Sequence, residues 1–235
     1  MTTKRLLVIG SGERVRKAAL PVFERSEGFD IEGIISRTPK TIEADGKEYP
    51  VLGLDSLTRE RLSGIDLIYM VVKKGAVPGL LATIAKLGPT HVDLLIETPV
   101  MLVRHLGHRK RLDCFRNVWV SEDCETLPCW DAVKGLLASG ALGDLRSITL
   151  DRSAYAYHGM AMVKSILGGR AIRSAHQTTI QNGLRERRIT VDNGLSALVV
   201  DPRDYSLGTL LFEGTSATLA DFGAESDTRL RLEAQ

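Results

Sequence analysis

The residues of this chain best suited to chemistry fall into four short clusters. The first is Gly10-Ser11-Gly12-Glu13-Arg14-Val15. Two glycines one residue apart permit a tight turn and let backbone N–H groups approach a diphosphate, which the positive end of an opening helix then favours. Val15 stands where a third glycine closes the usual pattern, so the helix is expected to sit slightly outward while the phosphate cradle is kept. The second cluster, Ser36-Arg37-Thr38, offers no carboxylate to accept from a ribose diol. It has instead a guanidinium and two hydroxyls suited to a 2′-phosphate, so NADP(H) is expected over NAD(H). The third, Lys73-Lys74, either brings positive charge to a nicotinamide edge or an anionic substrate, or faces solvent. The fourth is Tyr155-Ala156-Tyr157-His158. His158 is the leading acid/base candidate, because imidazole titrates near neutral pH, and the competing reading is a histidine capping a helix. Tyr155 and Tyr157 can donate a proton where a nearby cation lowers their pKa.

Other chemistry-bearing residues carry less. His105 and His108 lie three apart on an expected helix and lack a third convergent ligand, so no metal is expected. Cys114, Cys124 and Cys129 are odd in number and lack paired Cys-x-x-Cys spacing, which reads as ordinary reduced thiols. Trp119 and Trp130 are expected to pack near a domain junction. Arg185 to Arg188 is the densest basic run of the second half and reads as a solvated turn. With 31 Lys and Arg against 29 Asp and Glu, the net charge of +2 gives no reason to expect a nucleic-acid partner. Only four apolar residues follow Arg5 before Gly10, too few for a leader or membrane span, so a cytoplasmic protein without a membrane partner is expected.

The elements that must position these clusters follow from hydropathy patterning. Leu6 to Ile9 is a branched apolar run ending at a glycine, as in a strand buried on both faces. Val15 to Glu24 carries Val15, Ala18, Ala19, Val22 and Phe23 at helical spacing. Strands are expected at Phe29 to Ser36, Ile65 to Val72, Asp93 to Ile96 and Val118 to Val120. Helices are expected over Leu80 to Leu87 and Leu102 to Asp113. The fold class is therefore α/β, a Rossmann doubly wound parallel sheet over residues 1–121. From 122 to 235 a short α+β domain for substrate binding or oligomerisation is expected. It has a helix from Trp130 to Ser139 and a mostly antiparallel sheet including Leu145 to Asp151, Ser206 to Phe212 and Ser216 to Phe222, with a hairpin turn at Glu213-Gly214.

In this arrangement the chain resembles the Gfo/Idh/MocA oxidoreductases, the family of glucose-fructose oxidoreductase and inositol dehydrogenase. The resemblance rests on four features: Gly10-Ser11-Gly12; Ile96-Glu97-Thr98-Pro99-Val100, where the family carries Glu-Lys-Pro; Leu136 to Ile148; and His158 followed by Leu167-Gly168. It covers about residues 5 to 170 and implies that Val72, Lys73, Lys74, Glu97 and Thr98 join the glycine turn in holding the cofactor. It also implies that His158 is the catalytic histidine, and that the chain is a homodimer or homotetramer acting on a small molecule.

The departures are as informative. Thr98 replaces the family's lysine, and a threonine hydroxyl holds its proton too tightly for general-acid work near neutral pH. Ala154 replaces the aspartate four residues before the histidine. The segment between Asp151 and His158 is short, so the substrate-side sheet is expected to be reduced. Two main readings follow. One is an NADP(H)-dependent oxidoreductase moving hydride to or from a small carbonyl, imine or sugar-like carbon. The other is a catalytically silent or repurposed member that binds the nucleotide as a sensor or biosynthetic partner. A third, non-redox chemistry in the same pocket, would be opposed by tight NADP binding.

Overall fold

Leu6 and Val8 enter one hydrophobic cluster and Leu7 and Ile9 another, so the first strand is buried on both faces. The chain is described by a computed structural model over residues 3–122, 124, 127–204, 206–221 and 230–234. It divides into two compact units, Met1–Ser121 and Glu122–Gln235.

The first unit is built on a seven-stranded sheet ordered β3-β4-β2-β1-β5-β6-β7. Its strands are β1 (Lys4–Ile9), β2 (Phe29–Ile35), β3 (Lys40–Ala44), β4 (Lys47–Leu52), β5 (Leu67–Met70), β6 (Asp93–Glu97) and β7 (Asn117–Ser121). All neighbours are parallel except β3 and β4. After β1 the chain moves to β2 on one side and later returns to β5 on the other. The carboxyl end of β1 is therefore the switch point at which open α/β sheets take ligands. The connections carry α1 (Leu20–Glu24), α2 (Arg59–Ser63) and α3 (Val77–Ala85).

The structure corrects several expected elements. A π-helical segment, Val15–Ala19, precedes α1. The extra residue in its turn shifts the helix phase, so Val15, Ala19, Leu20 and Phe23 face the core while Val22 is exposed. The hairpin β3-β4, absent from the periodicity reading, turns at Asp45-Gly46, both at positive φ. Asp-Gly between alternating strands was its available signal. Residues Val103–Cys114 form successive 3₁₀ turns with no buried side chain, not an α-helix. Gly107 and the charged run Arg109 to Arg111 leave too narrow an apolar stripe to hold a longer helix against the sheet. Trp119, expected to pack, is 47% exposed on the edge strand β7, with Lys4 over its ring.

The second unit holds α4 (Pro128–Ala138), α5 (Ala156–Leu167) and β8 (Leu145–Asp151), β9 (Ile172–Thr179), β10 (Arg185–Val191), β11 (Ser196–Asp201), β12 (Thr209–Gly214), β13 (Ala217–Asp221) and β14 (Leu230–Ala234). Its sheet is ordered β14-β13-β12-β8-β11-β10-β9, with β8 and β11 parallel and the other pairs antiparallel. One face carries Ile148, Leu150, Ile189, Ala197, Val199 and Phe212 against Trp130 and Val133 of α4 and Met162, Val163 and Leu167 of α5. Trp130 is fully buried, as expected, and its indole N–H donates to Ser165.

The sheet is mostly antiparallel, as expected, and four of its seven strands went unread: β9 and β10, whose charged and polar residues mask the alternation, the short apolar run of β11, and β14. The run Arg185 to Arg188 lies in β10 rather than in a solvated turn, and Arg187 pairs with Asp201. The β12-β13 hairpin turns at Thr215-Ser216, just beyond the expected Glu213-Gly214. Phe222, the expected end of β13, lies outside the described residues. Among the described residues no helix is long and apolar enough to cross a membrane.

Candidate functional site

In the first unit the site forms where β1, β2, β5 and β6 end. Gly10 N–H donates to Ile35 O at the end of β2, and Val71 N–H donates to Ile9 O, which clamps the turn between neighbouring strands. Gly10 has φ +129°, and a Cβ built on it would fall 2.0 Å from Val71 O. Only glycine fits there. Gly12 has no such constraint: its carbonyl accepts from Arg16 N–H to open the helix, and a Cβ on it would meet nothing within 4 Å. The turn therefore has a packed side under Gly10 and an open side over Gly12. Val15 is fully buried in the core, so toward a ligand it offers only its backbone. Glu13 pairs with Lys17 on the helix surface. Ser11 precedes the helix on the open turn.

At the end of β2, Ser36 N–H donates to Leu52 O and Ser36 Oγ donates to Thr38 O at 2.8 Å. This folds a short turn that leaves Arg37 and Thr38 exposed.

The end of β6 is a charged network that the sequence did not reveal. Glu97 accepts from the Tyr69 hydroxyl at 2.5 Å and lies 3.6 Å from Arg14. Burial, reinforced by the bond to Glu97, raises the Tyr69 pKa well above the usual phenol range. A tyrosine inside the apolar run Leu67–Met70 was the available signal, because a buried hydroxyl needs a partner. Lys74 reaches across from the loop after β5 and donates to the carbonyl oxygens of Glu97 and Thr98, whereas Lys73 is exposed and Val72 packs partly against the core. Burial lowers the Lys74 pKa from the ordinary lysine value. Lys74 thus brings an ammonium to the Thr98 backbone from the turn after β5. Thr98 Oγ1 is itself buried with no protein partner.

In the second unit, His158 sits in the first turn of α5. Gly159, directly after it, lets the helix press onto the sheet, since a Cβ there would come within 2.7 Å of Val199 on β11. His158 Nδ1 meets Glu122 Oε1 at 2.5 Å, and both side chains are about one-eighth exposed. Cys124 N–H donates to the same Oε1. Ala154 is buried in the core, so the carboxylate partner of His158 comes from Glu122 instead. Nothing in the local sequence announced Glu122, which lies 36 residues away. The Tyr157 ring lies against that of His158, centroids 4.2 Å apart and planes tilted by 47°, and Tyr155 and Tyr157 are both substantially exposed. His105 and His108 each take an arginine partner, Arg104 and Arg111.

No protein-family profile matches the chain, and no curated protein does. Solved structures do match. The NADP complex of KijD10, a 3-ketoreductase from Actinomadura kijaniata, is 15% identical with a TM-score of 0.76 over 100% of this chain and 82% of that one. The myo-inositol 2-dehydrogenase of Lactobacillus plantarum is 11% identical with a TM-score of 0.71, covering 93% of this chain and 76% of that one. An oxidoreductase from Bacillus cereus is 17% identical with a TM-score of 0.70, covering 94% and 71%. The chain therefore has the α/β fold of these oxidoreductases, a Rossmann-like unit followed by a mostly antiparallel one.

Proposed function

We propose that this protein is a nicotinamide-dependent oxidoreductase of the Gfo/Idh/MocA type, using NADP(H) in preference to NAD(H) on a small carbonyl, imine or sugar-like substrate. The observation that carries this reading is the two-sided glycine turn at the sheet switch point, closed beneath Gly10 and open above Gly12.

The residues fit the cofactor. The open side of Gly10-Ser11-Gly12 exposes backbone at a helix N-terminus, where a diphosphate binds. Ser36, Arg37 and Thr38 provide a guanidinium and hydroxyls for a 2′-phosphate. Thr98 Oγ1 is a buried hydroxyl awaiting a partner, and Val72, Lys73, Lys74 and Glu97 surround the same strand ends. Bound NADP(H) would give or take the hydride.

The chain's own residues manage charge and protons. Tyr69 and Arg14 hold Glu97 in place. In the first unit Lys74, its proton made easier to release by burial, is the candidate proton donor; in the second unit the candidate is His158, oriented by Glu122. Tyr157 lies against the imidazole, and the exposed Tyr155 precedes it at the start of α5. The second unit serves as the substrate and oligomerisation domain of a dimer or tetramer in the cytoplasm. KijD10's NADP complex and 3-ketoreductase activity support this assignment by likeness of fold.

NADPH oxidation across a panel of small carbonyl compounds tests the reading, with NADPH affinity followed by fluorescence. Wild type is expected to bind and turn over. His158→Ala or Lys74→Met, whichever removes the donor, is expected to lower kcat by about 10²-fold or more with affinity preserved. Failure of wild type to bind NADPH would sink the assignment. Unchanged rates in both variants would remove both groups from the proton step. Binding without turnover across the panel would favour the silent, nucleotide-sensing reading, to which Thr98 and Ala154 lend support.

A further inference from the structure

Glu122, Cys124 and His158 bring a carboxylate oxygen, a thiol sulfur and an imidazole nitrogen within 4.8 Å of one another. We propose that these three residues form a zinc site. Two ligands one residue apart leave the end of β7 together, and the third comes from the first turn of α5, a position fixed by the tight seat of Gly159 on Val199. All three lie in the second unit and are largely shielded, with Cys124 5% exposed and the Glu122 and His158 side chains 12% each.

The donor set selects the ion. Magnesium and calcium take oxygen ligands almost exclusively, whereas a mixed sulfur, nitrogen and oxygen set suits zinc. Zinc holds such donors at about 2.0–2.3 Å, so donor atoms end about 3.3–3.7 Å apart in a tetrahedron. In the present cluster His158 Nδ1 and Glu122 Oε1 stand closer than this, at 2.5 Å, and all three donor atoms lie within 4.8 Å, so side-chain movement accompanies binding. Cys124 N–H donates to Glu122 Oε1, a backbone bond that holds the carboxylate in place as supporting shells of metal sites do. Zinc takes the deprotonated ligands, so binding replaces the contact between His158 Nδ1 and Glu122 Oε1 with bonds to the ion. Among the described residues the cluster supplies three of the four ligands that zinc takes. Zinc held there makes the His158 imidazole a ligand rather than a proton donor.

The inference stands apart from the oxidoreductase reading, because nucleotide binding is a property of the first unit and is measured separately. Chelator-treated full-length protein is titrated with Co²⁺ and then Zn²⁺, with NADPH affinity read on the same samples. The expected result is one equivalent of Co²⁺ giving a sulfur-to-cobalt charge-transfer absorption in the near ultraviolet, which one equivalent of Zn²⁺ abolishes. Cys124→Ser should remove the band and weaken zinc by about ten-fold or more, while Cys114→Ser and Cys129→Ser retain it. Since Cys124 borders the core, Glu122→Gln provides a second test, again with zinc weakened about ten-fold or more. A wild type without the charge-transfer band, a band surviving Cys124→Ser, or unchanged zinc affinity in Glu122→Gln would each overturn the site.

Discussion

Replacing the two turn glycines one at a time separates packing from ligand binding. In Gly12→Ala the added methyl meets no protein atom within 4 Å, and the backbone there needs no left-handed conformation. The cost to stability is confined to a poorer helix N-cap, about 1 kcal/mol or less. The same methyl occupies the open side of the turn, where diphosphate oxygens must approach the amides. Losing one charge-assisted hydrogen bond there is worth about 1.5–3 kcal/mol, an NADPH affinity lower by about 10- to 150-fold. Gly10→Ala behaves in the opposite way, because its methyl falls 2.0 Å from Val71 O at φ +129°. Backbone strain and overpacking together cost about 2–5 kcal/mol of folding stability. Urea unfolding followed by far-ultraviolet circular dichroism gives the first quantity, and NADPH fluorescence titration at a fixed salt concentration gives the second. If Gly12→Ala bound NADPH as wild type does, the diphosphate would not lie over this turn. Equal destabilisation by the two substitutions would refute the two-sided geometry itself.

Two further outcomes are expected. Arg37→Ala should weaken NADPH by about 10- to 100-fold and leave NADH unchanged; parallel losses for both nucleotides in the same fluorescence titration would show that Arg37 does not read the 2′-phosphate. Asp93 is buried and bonded to Arg116, Asn117 and Lys4, and the Arg116 guanidinium above all holds its carboxyl far below the usual range. A depressed folded-state pKa contributes stability above the unfolded value of about 3.9 and loses it as pH falls toward the folded one. Asp93→Asn should therefore cost about 1–3 kcal/mol at neutral pH, with the gap to wild type narrowing below about pH 4. A gap independent of pH in urea titrations would show that the charge on Asp93 is not what stabilises the start of β6.

What the sequence alone determined were the features written in short-range pattern. Leu6 to Ile9 had to be a strand buried on both faces, because no polar residue interrupts it, and Gly10-Ser11-Gly12 had to be a turn opening a helix. The strand Leu145 to Asp151 and the helix read over Trp130 to Ser139, observed as Pro128–Ala138, were legible for the same reason, since periodicity and end signals lie within one element. Tertiary structure decided whatever depends on residues distant along the chain. Whether Val22 or Leu20 faces inward was settled by a π turn that no local propensity encodes. Strands β9 and β10 exist because neighbours pair with them, not because their own alternation is strong. The groups that complete the chemistry arrive from elsewhere: Lys74 comes to the backbone of Thr98 from the turn after β5, and Glu122 comes to His158 from a loop two elements earlier. Local sequence records which backbone conformations are affordable, but a charge finds its partner only after sheets and helices have packed and excluded water from the space between them.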